Sequence, residues 1–231
     1  MKRFYTNVSV QPAGDAWQIT LDDRPIKTQG GTLQLVPTLA LAKAMAAEWD
    51  AQGEKLDTSA FVYRDLTDFA IDQVAADPAS TLETLGKYAE TDTLCYRADP
   101  GDALFARQEA EWEPILGRIE ERENVRFTRV SGIMHAAQPE ATLAHFRGSL
   151  AQMDAFALTG LQTLASLATS FAIGLEALQP GADAKALWDA SSLEELWQEE
   201  LWGTDAEATA QREAREADFM SAFKWMELAR A

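Results

Sequence analysis

At Pro37 the hydrophobic period of this 231-residue chain changes from two to about 3.6, which restricts the fold to strands first and helices afterwards. Upstream, "RFYTNVSV" and "AWQITL" alternate and are rich in β-forming residues, with "QPAGD" as the turn between them. "DDRP" then turns the chain into "PIKT", and "QGG" precedes "TLQLV", so an antiparallel meander is expected. Pro25 has no N–H for a ladder and belongs at an edge or a bulge. The pair Gly30 and Gly31 lacks the following Lys-Ser/Thr and helix that a phosphate loop requires, and reads as a hairpin turn.

Downstream of Pro37, Leu41, Met45, Glu48 and Trp49 share a helix that ends near Gly53, and a second pattern runs through Leu66, Ala70 and Val74. Past Pro78 the spacing predicts helices near 79–96, 102–122, 139–153, 155–178, 183–202 and 205–229, with "NVRFTRVSGI" as a short extended detour. The expected fold is α+β. A small N-terminal antiparallel β-rich unit with helices, residues 1–80, precedes a larger all-helical bundle, residues 81–231. No repeat of 20 to 50 residues interrupts this plan. Ala155 to Leu175 contains no charged residue and has the length of a membrane span, but Leu164, Leu167, Phe171, Leu175 and Leu178 keep a 3,4 spacing with hydroxyl residues between them. That pattern suits a helix buried among helices.

Charge and catalytic inventory exclude several functions. A formal net charge of -17, spread along the chain, argues against nucleic acid and anionic lipid, which demand clustered Lys and Arg. The single cysteine, Cys95, cannot build a disulfide framework and fits a reducing compartment. "MKRFYTNVSV" has neither the apolar core of a secretion signal nor the Arg-rich length of a transit peptide, so a bacterial cytoplasmic protein, or a processed one, is expected. His135 and His145, ten residues apart, form no metal-ligand spacing, and neither metal nor cofactor is expected. Cys95 is a nucleophile only if the fold brings a histidine to it; the alternative is a small buried thiol. With no GxSxG, Walker or dinucleotide fingerprint, a non-enzymatic protein leads, ahead of a hydrolase using Cys95 and an adaptor of other clients.

The densest stretch is "SSLEELWQEELWGTD", residues 191–205. On a helix, Leu193, Leu196, Trp197 and Leu201 form one apolar stripe, expected in the core, while Glu194, Glu195, Gln198 and Glu199 take the outer side. Ser192 is placed to cap its start and Gly203 to end it. Glu200 and Trp202 fit less well: Glu200 lies at the edge of the stripe and needs a partner or water, and Trp202 sits beside the glycine. Solvated charge and packed ring, or a contact surface, are both open on spacing alone.

These residues resemble the C-terminal signature of the F-type ATP synthase assembly chaperones that handle the alpha subunit of the catalytic head, roughly Ser-x-Leu-Asp-Glu-x-Trp-Gln-x-Glu-x-Trp-Gly-x-Asp. Here it falls on Ser191, Leu193, Glu195, Trp197, Gln198, Glu200, Trp202, Gly203 and Asp205. "YAETDTLCYRA" (88–98), "LAKAMAAEWDAQGEKLD" (41–57) and "ITLDDRPIKT" (19–28) are similar to further family segments, with Asp23 where the hairpin usually has glycine and Glu194 where aspartate is usual. The resemblance implies a chaperone that holds the free alpha subunit until a beta subunit replaces it, with no nucleotide of its own. It implies a bacterial cytoplasmic member; its eukaryotic relatives are mitochondrial matrix proteins. Glu200, Trp202, Glu199, Trp197 and Gln198 are the expected partner-binding residues. Tyr88, Asp92 and Cys95 fall at i, i+4 and i+7 and are expected on one helix face with Arg97 at its end; Asp92, Arg97 and Tyr88 are read as structural, with Asp92 and Arg97 tying the helix to a neighbour.

Overall fold

The computed structural model describes residues 1–132 and 134–231. The strands are β1 (Val8–Ala13), β2 (Ala16–Leu21), β3 (Arg24–Pro25), β4 (Leu35–Val36), β5 (Tyr96–Arg97) and β6 (Val130–Ser131). The helices are α1 (Leu39–Asp50), α2 (Val62–Phe69), α3 (Pro78–Glu90), α4 (Ala103–Glu123), α5 (Glu140–Leu150), α6 (Ala155–Leu167), α7 (Phe171–Ala177), α8 (Ala184–Ser191), α9 (Leu193–Trp202) and α10 (Ala206–Ala229). The α+β class expected from the sequence is observed. Residues 1–78, 154–160 and 221–231 make one compact unit, and residues 79–153 and 161–220 make a second.

In the first unit β1 and β2 form an antiparallel hairpin with Val8 opposite Leu21 and Ala13 opposite Ala16, turning at Gly14 with φ of 64°. The Asp22 N–H donates to the Asn7 carbonyl, so this pair and every second one along the ladder is hydrogen-bonded. Val8, Val10 and Pro12 therefore turn their main chain to the outer edge, where Pro12 has no N–H to offer another strand. On the other side of β2 lie β3 and β4, with Pro25 on an edge strand as its chemistry requires. Leu21 opposite Arg24 leaves a two-residue loop, Asp22-Asp23, with φ of 47° and 65°. That is the conformation glycine adopts most easily, and Asp22 holds it by accepting from the Thr6 and Asn7 N–H groups.

The change of period becomes a cap. Thr38 is extended, and its hydroxyl oxygen accepts the Leu41 N–H at the head of α1, whose buried residues Leu41, Ala42, Met45 and Trp49 face the sheet. The two returning segments complete this core. The Trp225 indole donates to Thr67 at 3.0 Å, stacks on Phe156 at 5.6 Å, and is itself fully buried. Next to Thr67, Asp68 and Asp72 anchor the 28–34 loop, accepting from the Gln29 and Gly30 N–H groups, where α2 runs into a π-helical turn, Ala70–Val74.

The second unit is built on α4, which buries Trp112, Ile115, Leu116 and Ile119 and ends at Asn124 in the left-handed conformation. The Trp112 indole donates to the Ala190 carbonyl at 2.7 Å. Three expected helices are interrupted. The one read as 79–96 ends at Glu90; 155–178 is α6 and α7, broken at Thr169 with φ of 50°; 183–202 is α8 and α9, broken at Ser192. The extended detour in "NVRFTRVSGI" is β6, paired in parallel with β5; its last residue, Ile133, lies outside the described residues. No helix among the described residues is long and apolar enough to cross a membrane.

Asp23 holds a left-handed conformation without being glycine. Asp23→Gly should stabilise the protein by about 0.5–1 kcal/mol, read as a rise in the urea midpoint at constant slope.

Candidate functional site

Asp92 is fully buried and organises the chain breaks of the second unit. It begins the short 3-10 turn Thr93–Cys95 by accepting the Leu94 N–H at 2.9 Å, and it accepts the Ala172 N–H at 2.7 Å and the Ser170 hydroxyl at 2.9 Å at the head of α7. The Ser170 hydroxyl oxygen accepts the Ile173 N–H. Thr93 donates to the carbonyl of Thr169, the left-handed residue of the break. Burial outweighs these bonds and pushes the Asp92 carboxyl up to about 6.

Tyr88, Asp92 and Cys95 therefore do not share a helix face, because the helix stops before Asp92. Tyr88 stays on α3, with its hydroxyl 3.3 Å from that of Ser166. Arg97 lies on β5 and is buried; it donates to the Gln108 carbonyl at 2.8 Å, pairs with Glu113 at 3.2 Å, and lies over the Trp112 ring. Asp92 is thus bonded to the head of α7 and Arg97 to α4.

The α9 residues are arranged differently from the simple two-sided helix. Leu193 is buried, but Leu201 and Trp202 are 56% and 77% exposed, so the stripe does not end in the core. Ser192 precedes α9 without a side-chain cap. Glu194 is not on the outer face: it is half-buried and accepts from Gln108 at 2.7 Å. Its neighbours are held by arginines far off in sequence. Glu195 pairs with Arg215 at 2.7 Å, Glu199 with Arg212 at 2.5 Å, and Glu200 with Arg107, whose Nη1 reaches both carboxylate oxygens at 2.7 and 2.8 Å. Arg107 also lies over the half-buried Trp197 ring at 5.7 Å. Gln198 is exposed.

From Glu200 to Ala208 every residue is exposed, through the turn at Gly203 with φ of 88° and the Asp205 cap of α10. A groove lined by Gln198, Trp202, Ala208 and Arg212 opens beside this turn. Glu195, Glu199 and Glu200 are paired and Asp205 caps α10, while Leu201 and Trp202 present apolar surface at the tip. The spacing could not show this, since the three arginines stand on α4 and α10.

Cys95 does not have the character of a nucleophile. Burial pushes its thiol up to about 12, leaving almost no thiolate near neutrality. His135 is bonded to the Tyr96 hydroxyl and His145 to Glu123. Among the described residues no group of three or more His, Cys, Asp and Glu is placed to hold a metal ion.

Residues 2–120 match the family model for the ATP12 chaperone protein. The crystal structure of Atp12 from Paracoccus denitrificans is 32% identical, with 99% of this chain and 98% of that chain covered and a TM-score of 0.94. An aspartate-to-lysine mutant of the same Atp12p superposes equally well, with 97% of that chain covered. The Atu1473 protein of Agrobacterium tumefaciens is 33% identical, with 98% of this chain and 85% of that chain covered and a TM-score of 0.91.

Removing the Asp92 carboxylate leaves buried N–H groups unpaired, so Asp92→Ala should cost roughly 3 kcal/mol. The pH dependence has a definite sign. The folded carboxyl titrates above its ordinary value of 3.8, so the folded state holds the proton more tightly, and this group's contribution falls as pH rises toward about 6 and is level above. In urea melts the gap between wild type and Asp92→Ala should be wider at about pH 5 than at about pH 7.5. A gap that widens with pH contradicts the dominance of burial.

Proposed function

The chain belongs to the ATP12 chaperone family, which serves ATP synthase assembly, and from that premise we propose that it holds the free alpha subunit of the catalytic head until a beta subunit takes its place. The observation that supports a contact at α9 is the exposed run from Glu200 to Ala208, with Leu201 and Trp202 in water and the adjacent carboxylates orderly and paired. Large aromatic rings are rarely left in water without use, and they dominate the energetics of protein contacts.

A subunit built to alternate in a ring exposes, when alone, a partly apolar face of an interface that buries ~2,000 Å² or more. Trp202 and Leu201 would cover part of such a face. Glu200 would meet a cation or backbone amides of the client, sharing or releasing Arg107. Exchange is easy there, because a partly exposed pair contributes only ~0–1 kcal/mol. Glu199, Trp197 and Gln198 complete the contact set. The high pKa of the Cys95 thiol weighs against a hydrolase. The beta subunit can displace the holder by mass action, so no nucleotide of its own is required. The two relatives from bacteria agree with action in the cytoplasm of a bacterium.

Glu200→Lys should leave the melting temperature nearly unchanged and weaken capture of the alpha subunit at least tenfold, ~1.4 kcal/mol. Glu194 is too enclosed to serve as the control; Glu213→Lys, on an exposed position of α10, makes the same charge change and should have little effect. Equal loss in both variants, or unfolding by Glu200→Lys, removes the specific role. Calorimetry with ATP and magnesium should show no heat of binding to the chaperone alone.

A further inference from the structure

Free positive charge is confined to the first unit. The second unit carries 11 Lys and Arg against 24 Asp and Glu, and each of those cations is in an ion pair. The first unit carries 9 against 13, yet Lys2, Arg24, Lys27, Lys43 and Lys55 have no ion pair among the described residues. In so acidic a chain an unpaired cation has many carboxylates to choose from. Arg24 and Lys27 lie on β3 and just beyond it, and both are exposed.

They stand on one cleft. Its volume is about 490 Å³, its floor is the buried side of Tyr5, Leu21, Ile26 and Trp49, and its lip is Phe4, Arg24, Pro25 and Lys27. Phe4 is 62% exposed, set edge-on to Tyr5 at 5.4 Å. Asp22, the one acid among the described residues that line the cleft, has its carboxylate turned to the Thr6 and Asn7 N–H groups. The Trp49 indole N–H has no acceptor among the described residues.

We infer that this cleft is a docking site for an extended segment of another protein in which an apolar side chain is flanked by carboxylates. The apolar side chain lies between Phe4 and the Leu21–Ile26 floor, and the carboxylates meet Arg24 and Lys27 in charge-assisted bonds. Charge complementarity selects this occupant. A basic segment would face two unneutralised cations here, while the second unit, with 24 acids against 11 paired cations, offers it acidic surface. The site is separate from the α9 tip and does not depend on the identity of the client.

The test uses the full-length protein and a fluorescein-labelled peptide, Asp-Leu-Phe-Asp-Glu, beside its charge-reversed counterpart, Lys-Leu-Phe-Lys-Lys. The acidic peptide should bind with an affinity that falls with salt, and amide resonances that move in the ¹⁵N spectrum should be those of the cleft. Arg24→Glu with Lys27→Glu should weaken it at least about tenfold. Lys43→Glu with Lys55→Glu, an equal charge change at unpaired cations that do not line the cleft, should change it by about twofold or less. The inference is overturned if the two double variants act alike, if the basic peptide binds as well, or if neither peptide binds at millimolar concentration. It is also overturned if the cleft resonances shift with protein concentration alone, which would make a second copy of the chain the occupant. Circular dichroism melts of both variants confirm that the fold is retained, and loss of alpha-subunit capture by Glu200→Lys bears on none of these outcomes.

Discussion

A carboxylate with no access to water fixes the second unit. Asp92 ends one segment and starts another, because its oxygens are the acceptors for the Leu94 and Ala172 N–H groups and for the Ser170 hydroxyl. Desolvating a carboxylate costs several kcal/mol and is tolerated only where several donors converge on it. Those donors stand at two helix ends 78 residues apart in sequence, so the geometry of one end is set by the other. Once α7 starts at Ser170 its residues Phe171 to Ala177 are all buried, and Glu176 among them is held by Arg118 and Arg122 of α4. The strained Thr169 is the cost of that arrangement, stabilised by Thr93 across the break.

Ion pairing then divides the molecule by role. In the second unit the arginines are consumed internally, several of them twice: Arg129 binds Glu113 and Glu120, and Arg97 lies between Glu109 and Glu113. The exposed pairs Glu195–Arg215 and Glu200–Arg107 contribute little stability, Glu199–Arg212 is more enclosed, and all three fix where the carboxylates point. A side chain oriented in advance loses less entropy on meeting a partner. Pairing therefore orients the carboxylates of α9 beside Leu201 and Trp202 before any partner arrives.

The alternation of β1 and β2, the change of period at Pro37, and the run of helices after Pro78 were legible because each depends on neighbours within a few residues. The breaks were not. Ala155 to Leu178 carries a consistent helical stripe, and nothing within it announces that a carboxylate near residue 92 will cap its second half. The same reason hid the partner of Glu200, which lies 93 residues away on α4. Spacing placed Leu201 in the core because it continues the stripe of Leu193, but α9 ends one residue later and no element among the described residues covers that turn. The mismatch of Glu200 and Trp202 with the stripe was the one local sign that the end of α9 differs from its beginning. For Arg24 and Lys27 no local sign existed, since their lack of partners is a property of the whole charge arrangement.

A holder that must later yield its client has an upper limit on affinity as well as a lower one. Under the proposed function, a contact through α9 and its tip competes with a ring interface whose burial is ~2,000 Å² or more. Exposed ion pairs suit such a contact, for they exchange partners with little net change in energy, whereas a buried pair broken on release would cost several kcal/mol. The affinity then rests on a few apolar side chains, and a subunit with the larger matching surface displaces the holder by mass action. The deeply buried charges, Asp92 and Arg97, stay inside the second unit, where nothing needs to exchange.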